Sequence, residues 1–180
     1  YIAVSPMVYM PMSASHGKVQ NHIGIGGGFD IKYKYNFNRW SALAADFLYT
    51  YASGVNGVET VSFHEFDIRI MLLLQYEPKK GEAGFNPWIG AGAALSISLN
   101  SLKKSGTVFG SDYDGIPYPA YMYNEEHKKT GANIGFATGA GLRYVFENNF
   151  SLGAAVDYMI VNPYYDTSGL RVYFEAGYRF

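Results

Sequence analysis

From Leu170 to Phe180 the chain alternates without a break: Leu170, Val172, Phe174, Ala176, Tyr178 and Phe180 fall on one face, and Arg171, Tyr173, Glu175, Gly177 and Arg179 on the other. A period of two is the signature of a β-strand with unlike faces. The same rhythm recurs along most of the chain, and its apolar faces carry more large side chains than one small interior can hold. The apolar face is therefore expected to look outward into hydrocarbon, with the polar face turned inward.

The clearest repeat runs from His22 to Phe37, with Phe29, Ile31, Tyr33, Tyr35 and Phe37 on a face free of charge and Asp30, Lys32 and Lys34 opposite. Trp40 to Tyr51 sets Leu43, Phe47, Tyr49 and Tyr51 against Asp46 and Leu48. Phe63 to Glu77 sets Phe66, Ile68, Ile70, Leu72 and Leu74 against Glu65, Asp67, Arg69, Met71 and Leu73. Pro87 to Leu99, Thr130 to Phe146 and Phe150 to Val161 repeat the pattern, with Trp88, Arg143, Asp157 and Met159 on the polar side. Tyr1 to Met12 is the least regular, because Pro6 lacks the N–H that a ladder needs. With the closing segment this predicts eight strands, an even number that can seal into a cylinder.

No apolar run approaches the roughly 18 residues a membrane helix requires, the longest here being Ile70 to Leu74. A closed barrel is then the remaining way to cross a bilayer. At 180 residues the chain is expected to form a single barrel domain, residues 1–180. Aromatics make up 17% of it, Tyr foremost, which suits the two membrane interfaces. The net charge of −1 and the lack of a basic stripe argue against nucleic acid. With no cysteine there is neither a disulfide framework nor a thiolate metal site. Because the sequence opens on Tyr1 rather than Met, a signal peptide is expected to have been removed.

Connection lengths alternate. Asn36 to Arg39, Pro78 to Asn86 and Glu147 to Asn149 are short, whereas Ser13 to Asn21, Ala52 to Thr60, Asn100 to Lys129 and Asn162 to Gly169 are long. Short turns face the periplasm in barrels of this kind and long loops face outward. The aromatics agree: Tyr33, Tyr35, Phe37, Tyr76, Tyr144, Phe146, Tyr178 and Phe180 gather toward the short turns, and Tyr49, Tyr51, Phe66 and Tyr158 toward the other rim.

On these features the chain resembles the small eight-stranded outer-membrane β-barrels, the broad group that holds the OmpA, OmpX, OmpW and opacity-protein families. The resemblance implies an all-β, antiparallel, up-and-down transmembrane barrel in the cell outer membrane. It also implies that Phe180 and Tyr178, with Phe174 and Val172, form the pattern read by the barrel-assembly machinery. No periplasmic domain is expected after Phe180.

The inward face carries Asp30, Asp46, Glu65, Asp67, Glu77, Asp157 and Glu175 against Lys32, Lys34, Arg69, Arg143, Arg171 and Arg179. An eight-stranded barrel is only wide enough for side chains to fill it, and buried charge requires partners. A plugged core is therefore expected, held by a charge network of Asp30, Lys32, Asp46, Glu65, Asp67, Arg69, Arg143, Asp157, Arg171 and Glu175. Folding about residue 38 would set Asp30 beside Asp46, making that wall acidic unless Arg143 or Arg171 crosses the lumen or some carboxylates hold protons. Gly90, Gly92, Gly135, Gly139 and Gly141 form a wall of small residues opposite, with Met71 over Gly92 and Leu73 over Gly90.

Other motifs carry little chemistry. Gly24 to Gly28 lacks the Lys-Ser/Thr and helix of a phosphate loop. His16, His22 and His127 lack ligand spacing, and Asp112 to Gly115 lacks the downstream Glu of a calcium loop. Neither metal nor cofactor is expected. Ser62 and His64 share an outward face, and some barrels of the resembled group modify lipid A with Ser/His groups at that level, but no carboxylate stands by to orient His64. No catalytic residue is assigned.

The segment Asn100 to Lys129 is the expected seat of function, because a loop beyond about 12 to 15 residues is usually functional or disordered. Tyr113, Tyr118, Tyr121 and Tyr123 offer a binding surface there, and Lys103, Lys104, Lys128 and Lys129 stand where lipid phosphates would lie. The expected role is structural or adhesive: a monomer in outer-membrane lipid that meets an extracellular ligand or host surface. The alternative is a narrow, porin-like channel for small or hydrophobic solutes, as the OmpW group would allow, lined by Leu48, Met71, Leu73, Trp88 and Met159. A lipid A-modifying enzyme ranks third.

Overall fold

The structure is a computed structural model that describes residues 1–11, 24–56, 59–108, 121–161 and 169–180. Eight strands follow one another: β1 (Ile2–Pro11), β2 (Gly26–Asn36), β3 (Ser41–Asn56), β4 (Glu59–Gln75), β5 (Gly84–Val108), β6 (Tyr121–Val145), β7 (Phe150–Val161) and β8 (Gly169–Tyr178). Each pairs with its sequence neighbour in antiparallel fashion and β1 pairs with β8, so the sheet closes on itself without an edge. Pro6 leaves its mark here. The β1–β8 register runs from Ile2 to Val4 and resumes at Met7, while the β1–β2 register continues through Pro6.

The faces divide by chemistry. Ile70, Leu72 and Leu74 are more than half exposed, whereas Arg69, Arg143 and Arg171 on the other face are at most 2% exposed. A water-soluble barrel shows the reverse, so this outer surface needs an apolar solvent.

Short turns at one end fix the registers. In the β2–β3 turn the Asn38 side-chain oxygen accepts from the backbone N–H of Trp40 at 2.7 Å and of Ser41 at 2.9 Å. In the β7 turn Asn149 has φ 66°, a left-handed conformation that Asn tolerates. Because the β2–β3 turn centres one residue later than residue 38, the pairing slips by two residues. Lys32, not Asp30, lies opposite Asp46, and Asp30 lies opposite Leu48. Both arrangements keep the faces, but the observed one sets a cation against the acid.

The outer end also differs from the expectation. The segment Asn100 to Lys129 is not mainly loop: β5 and β6 continue as a paired ladder from Asn100↔Lys129 to Val108↔Tyr121. Ala52 to Thr60 is likewise mostly ladder, paired to Asn56↔Glu59. Polar composition misled here, because strands that rise beyond the hydrocarbon lose the apolar alternation while keeping their hydrogen bonds.

Candidate functional site in the lumen and at the outer rim

All thirteen charged residues expected inward are buried, none more than 7% exposed. They stack in tiers. Nearest the short turns, Lys34 donates to Gln75 Oε1 at 2.9 Å and to Glu77. Arg179 reaches Glu77 at 3.4 Å, the Pro78 carbonyl at 2.6 Å and Asn149 Oδ1 at 2.9 Å. Above lies Glu175, which accepts from Tyr1 Oη at 2.5 Å, Arg143 Nη1 at 2.9 Å and Lys32 Nζ at 3.2 Å. Lys32 also stands 4.8 Å over the Trp88 ring.

At mid-height Arg69 bridges two strands, binding Asp46 at 3.0 Å and Asp157, which also accepts from Tyr173. The next tier spans the barrel. Arg171 on β8 reaches Glu65 at 3.0 Å and Asp67 at 2.8 Å on β4, and Ser96 donates to Glu65 at 2.6 Å. Arg171 is thus the arginine that neutralises the β4 acids, while Arg143 serves Glu175. A stacked Tyr9–Phe63 pair, with ring centroids 6.0 Å apart, packs with Ala52 at the outer end.

Packing fills the remaining space. Leu48, Met71, Leu73, Trp88 and Met159 sit in one buried cluster with Met7 and Tyr173. Met71 pairs with Gly92 and Leu73 with Gly90. A Cβ on Gly141 would stand 2.5 Å from Trp88 Nε1, so that glycine is a space requirement of the indole. The sequence pattern placed Tyr173 with Arg171 and Glu175 but gave Tyr1 and Tyr9 no inward role, although Tyr9 alternates with the outward Ile2, Val4 and Val8 of β1.

The two rims carry the aromatics. Toward the short turns Tyr35–Phe37, Tyr144–Phe146 and Tyr178–Phe180 form edge-on ring pairs, and Trp40, Phe85 and Phe150 join them unanticipated. Toward the other rim Tyr49 contacts Phe29 and Phe66, and its hydroxyl lies 2.8 Å from His64 Nδ1. A phenol, not a carboxylate, therefore orients His64.

On the outward face of the β5–β6 hairpin, Glu126 lies 3.4 Å from Lys128 and 3.9 Å from Lys103, and accepts from Ser101 at 3.1 Å. The hydrogen bond from Ser101, then that from Lys128 and the charge of both lysines, draw its carboxyl below the usual range. Tyr121 and Tyr123 fall within β6. Tyr113, Tyr118, His16, His22 and Asp112 to Gly115 lie outside the described residues.

A barrel with a hydrocarbon exterior, aromatic rims and an ionic plug defines a membrane-spanning barrel protein. Residues 5–180 match the family model of the outer membrane protein beta-barrel domain, and the chain belongs to that family and to the cell outer membrane. Among solved structures, OprG of Pseudomonas aeruginosa is 13% identical with a TM-score of 0.62, over 99% of this chain and 95% of that one. Ail, the attachment invasion locus protein of Yersinia pestis, is 17% identical at 0.56, over 99% and 95%. Neisserial surface protein A is 17% identical at 0.55, over 97% and 92%. At such identities the likeness is one of fold. A search of curated proteins found no match.

Proposed function

We propose that this chain is a sealed outer-membrane barrel that displays its β5–β6 hairpin for surface recognition. The observation that carries the reading is the contrast between the two ends of the strands. Inside the bilayer Arg69 and Arg171 tie opposite walls together. Outside it, two 25-residue strands continue where about 9 to 11 residues suffice to cross. The hairpin that projects beyond the rim carries Lys103, Lys128 and Glu126 on one face, and the sequence from 113 to 123 supplies Tyr113, Tyr118, Tyr121 and Tyr123, residues suited to adaptable contacts.

A polyanion is the first ligand to test, since Ail, which shares the fold, has been crystallised with the heparin analogue sucrose octasulfate. The decisive experiment displays wild type and a hairpin-shortened variant on a non-adherent host and measures binding to sulfated glycans and to cells. Loss of binding on shortening supports the reading, and equal binding removes it.

We read the protein as non-enzymatic and monomeric. Ser62 and His64 serve as interfacial polar groups, His64 being held by Tyr49, and lipid A from an expressing host should keep its acyl pattern. The outward residues Phe174, Tyr178 and Phe180 of the last strand support the role of Tyr178 and Phe180 as the signal for the assembly machinery.

A further inference from the structure

We propose that Asp30, with Ser5 and Thr50, binds a monovalent alkali cation inside the lumen. Asp30 is wholly buried, and neither carboxylate oxygen has a hydrogen-bond or ion-pair partner among the described residues. Every other acid on the inward face shares a salt bridge: Asp46 and Asp157 with Arg69, Glu65 and Asp67 with Arg171, Glu175 with Lys32 and Arg143, and Glu77 with Lys34 and Arg179. Among the side chains of the inward face seven acids stand against six bases, and Asp30 is the acid without an ion pair among the described residues.

Lys32 is the obvious counter-ion, being two residues along the same face, yet its ammonium is committed to Glu175 at 3.2 Å and to the Trp88 ring. The charged groups acting on Asp30 are Asp46, Lys32, Arg69 and Asp157. With Asp30 itself they sum to −1.

Two hydroxyl residues neighbour Asp30 in the ladder. Ser5 lies directly across the ladder from Asp30, and Thr50 is diagonal to it, two residues beyond Leu48. Both are fully buried, and both hydroxyl oxygens lack a partner among the described residues. The β1–β8 ladder is interrupted at Ser5 and Pro6, on the same stretch of wall. Hydroxyl and carboxylate oxygens are hard ligands that suit alkali and alkaline-earth ions. A single surplus charge selects the monovalent ion, and no cluster of three His, Cys, Asp or Glu ligands exists among the described residues to hold a transition metal.

The test uses the full chain refolded in zwitterionic detergent, with thermal midpoints read by circular dichroism in sodium, potassium and choline chloride at equal ionic strength. At a cation concentration of roughly ten times its dissociation constant, the wild-type midpoint should stand about 3–6 °C above its value in choline. D30N should show no difference between salts, and S5A and T50V a smaller one. Sodium NMR line broadening by wild type, reversed by potassium and reduced in S5A and T50V, tests the site without Asp30 variants. Equal wild-type midpoints in all three salts, or a salt response undiminished in D30N, would overturn the proposal.

Discussion

At the scale of single residues the lumen is governed by the cost of breaking charge pairs away from water. Removing one partner of a buried ion pair costs about 3–5 kcal/mol, because the other charge stays behind. Arg171→Met should therefore lower unfolding stability by about that much, measured by urea titration, since it strands both Glu65 and Asp67. Adding Glu65→Gln and Asp67→Asn should recover much of the loss; a triple variant no more stable than Arg171→Met would refute the pairing argument. Gly141 is governed by volume instead. Gly141→Ala presses a methyl into the Trp88 indole and should cost about 1–3 kcal/mol. In a Trp40→Phe background, where Trp88 is the remaining tryptophan, its emission should shift as the ring is displaced.

At the scale of elements, the β5–β6 hairpin divides into a part that closes the barrel and a part that projects from it. Joining residue 99 to residue 130 through a two-residue Asn-Gly turn should leave a folded, heat-resistant barrel, because the pairs from Leu99↔Thr130 downward are untouched and β4 loses only its outermost partners on β5, Asn100 to Lys104. Failure to refold would mean that the projecting ladder nucleates the rest. On the same hairpin Glu126→Gln should strengthen binding of sulfated glycans at low ionic strength, since two lysines lose their anion, and salt should erase the gain. The carboxyl is drawn down, so wild type gains this affinity only as pH falls through that lowered pKa, and Glu126→Gln should be insensitive over the same window.

The division between legible and illegible also falls at this scale. Within the hydrocarbon each residue must suit either lipid or lumen, so the alternation from Phe29 to Phe37 or from Phe66 to Leu74 could be read directly from sequence. Register could not, because slipping β2 against β3 by two residues keeps every face and changes only the Asn38 turn and which inward residues stand opposite one another. The upper ladder was hidden for the opposite reason: above the rim Ser101, Lys103, Glu126 and Lys128 meet water, and nothing enforces an apolar face. Which acid pairs with which base was equally hidden, since Arg171 reaches Glu65 and Asp67 across the barrel rather than along the sheet.

For the whole molecule the question is whether so charged an interior conducts. An ion passing along the axis must cross tiers in which Arg69 and Arg171 join opposite walls, below the Tyr9–Phe63 pair. Swinging Arg171 aside strands two carboxylates, at the same cost of about 3–5 kcal/mol, so the open form would occupy about one part in 10² to 10⁴. Planar-bilayer recordings should accordingly show brief, rare openings and no sustained steps. With one more acid than base on the inward face, those openings should pass cations over anions. Sustained steps in wild type would mean that the tiers part far more easily than paired charges in a dry interior allow. Anion selectivity would mean that the surplus charge is not where Asp30 places it.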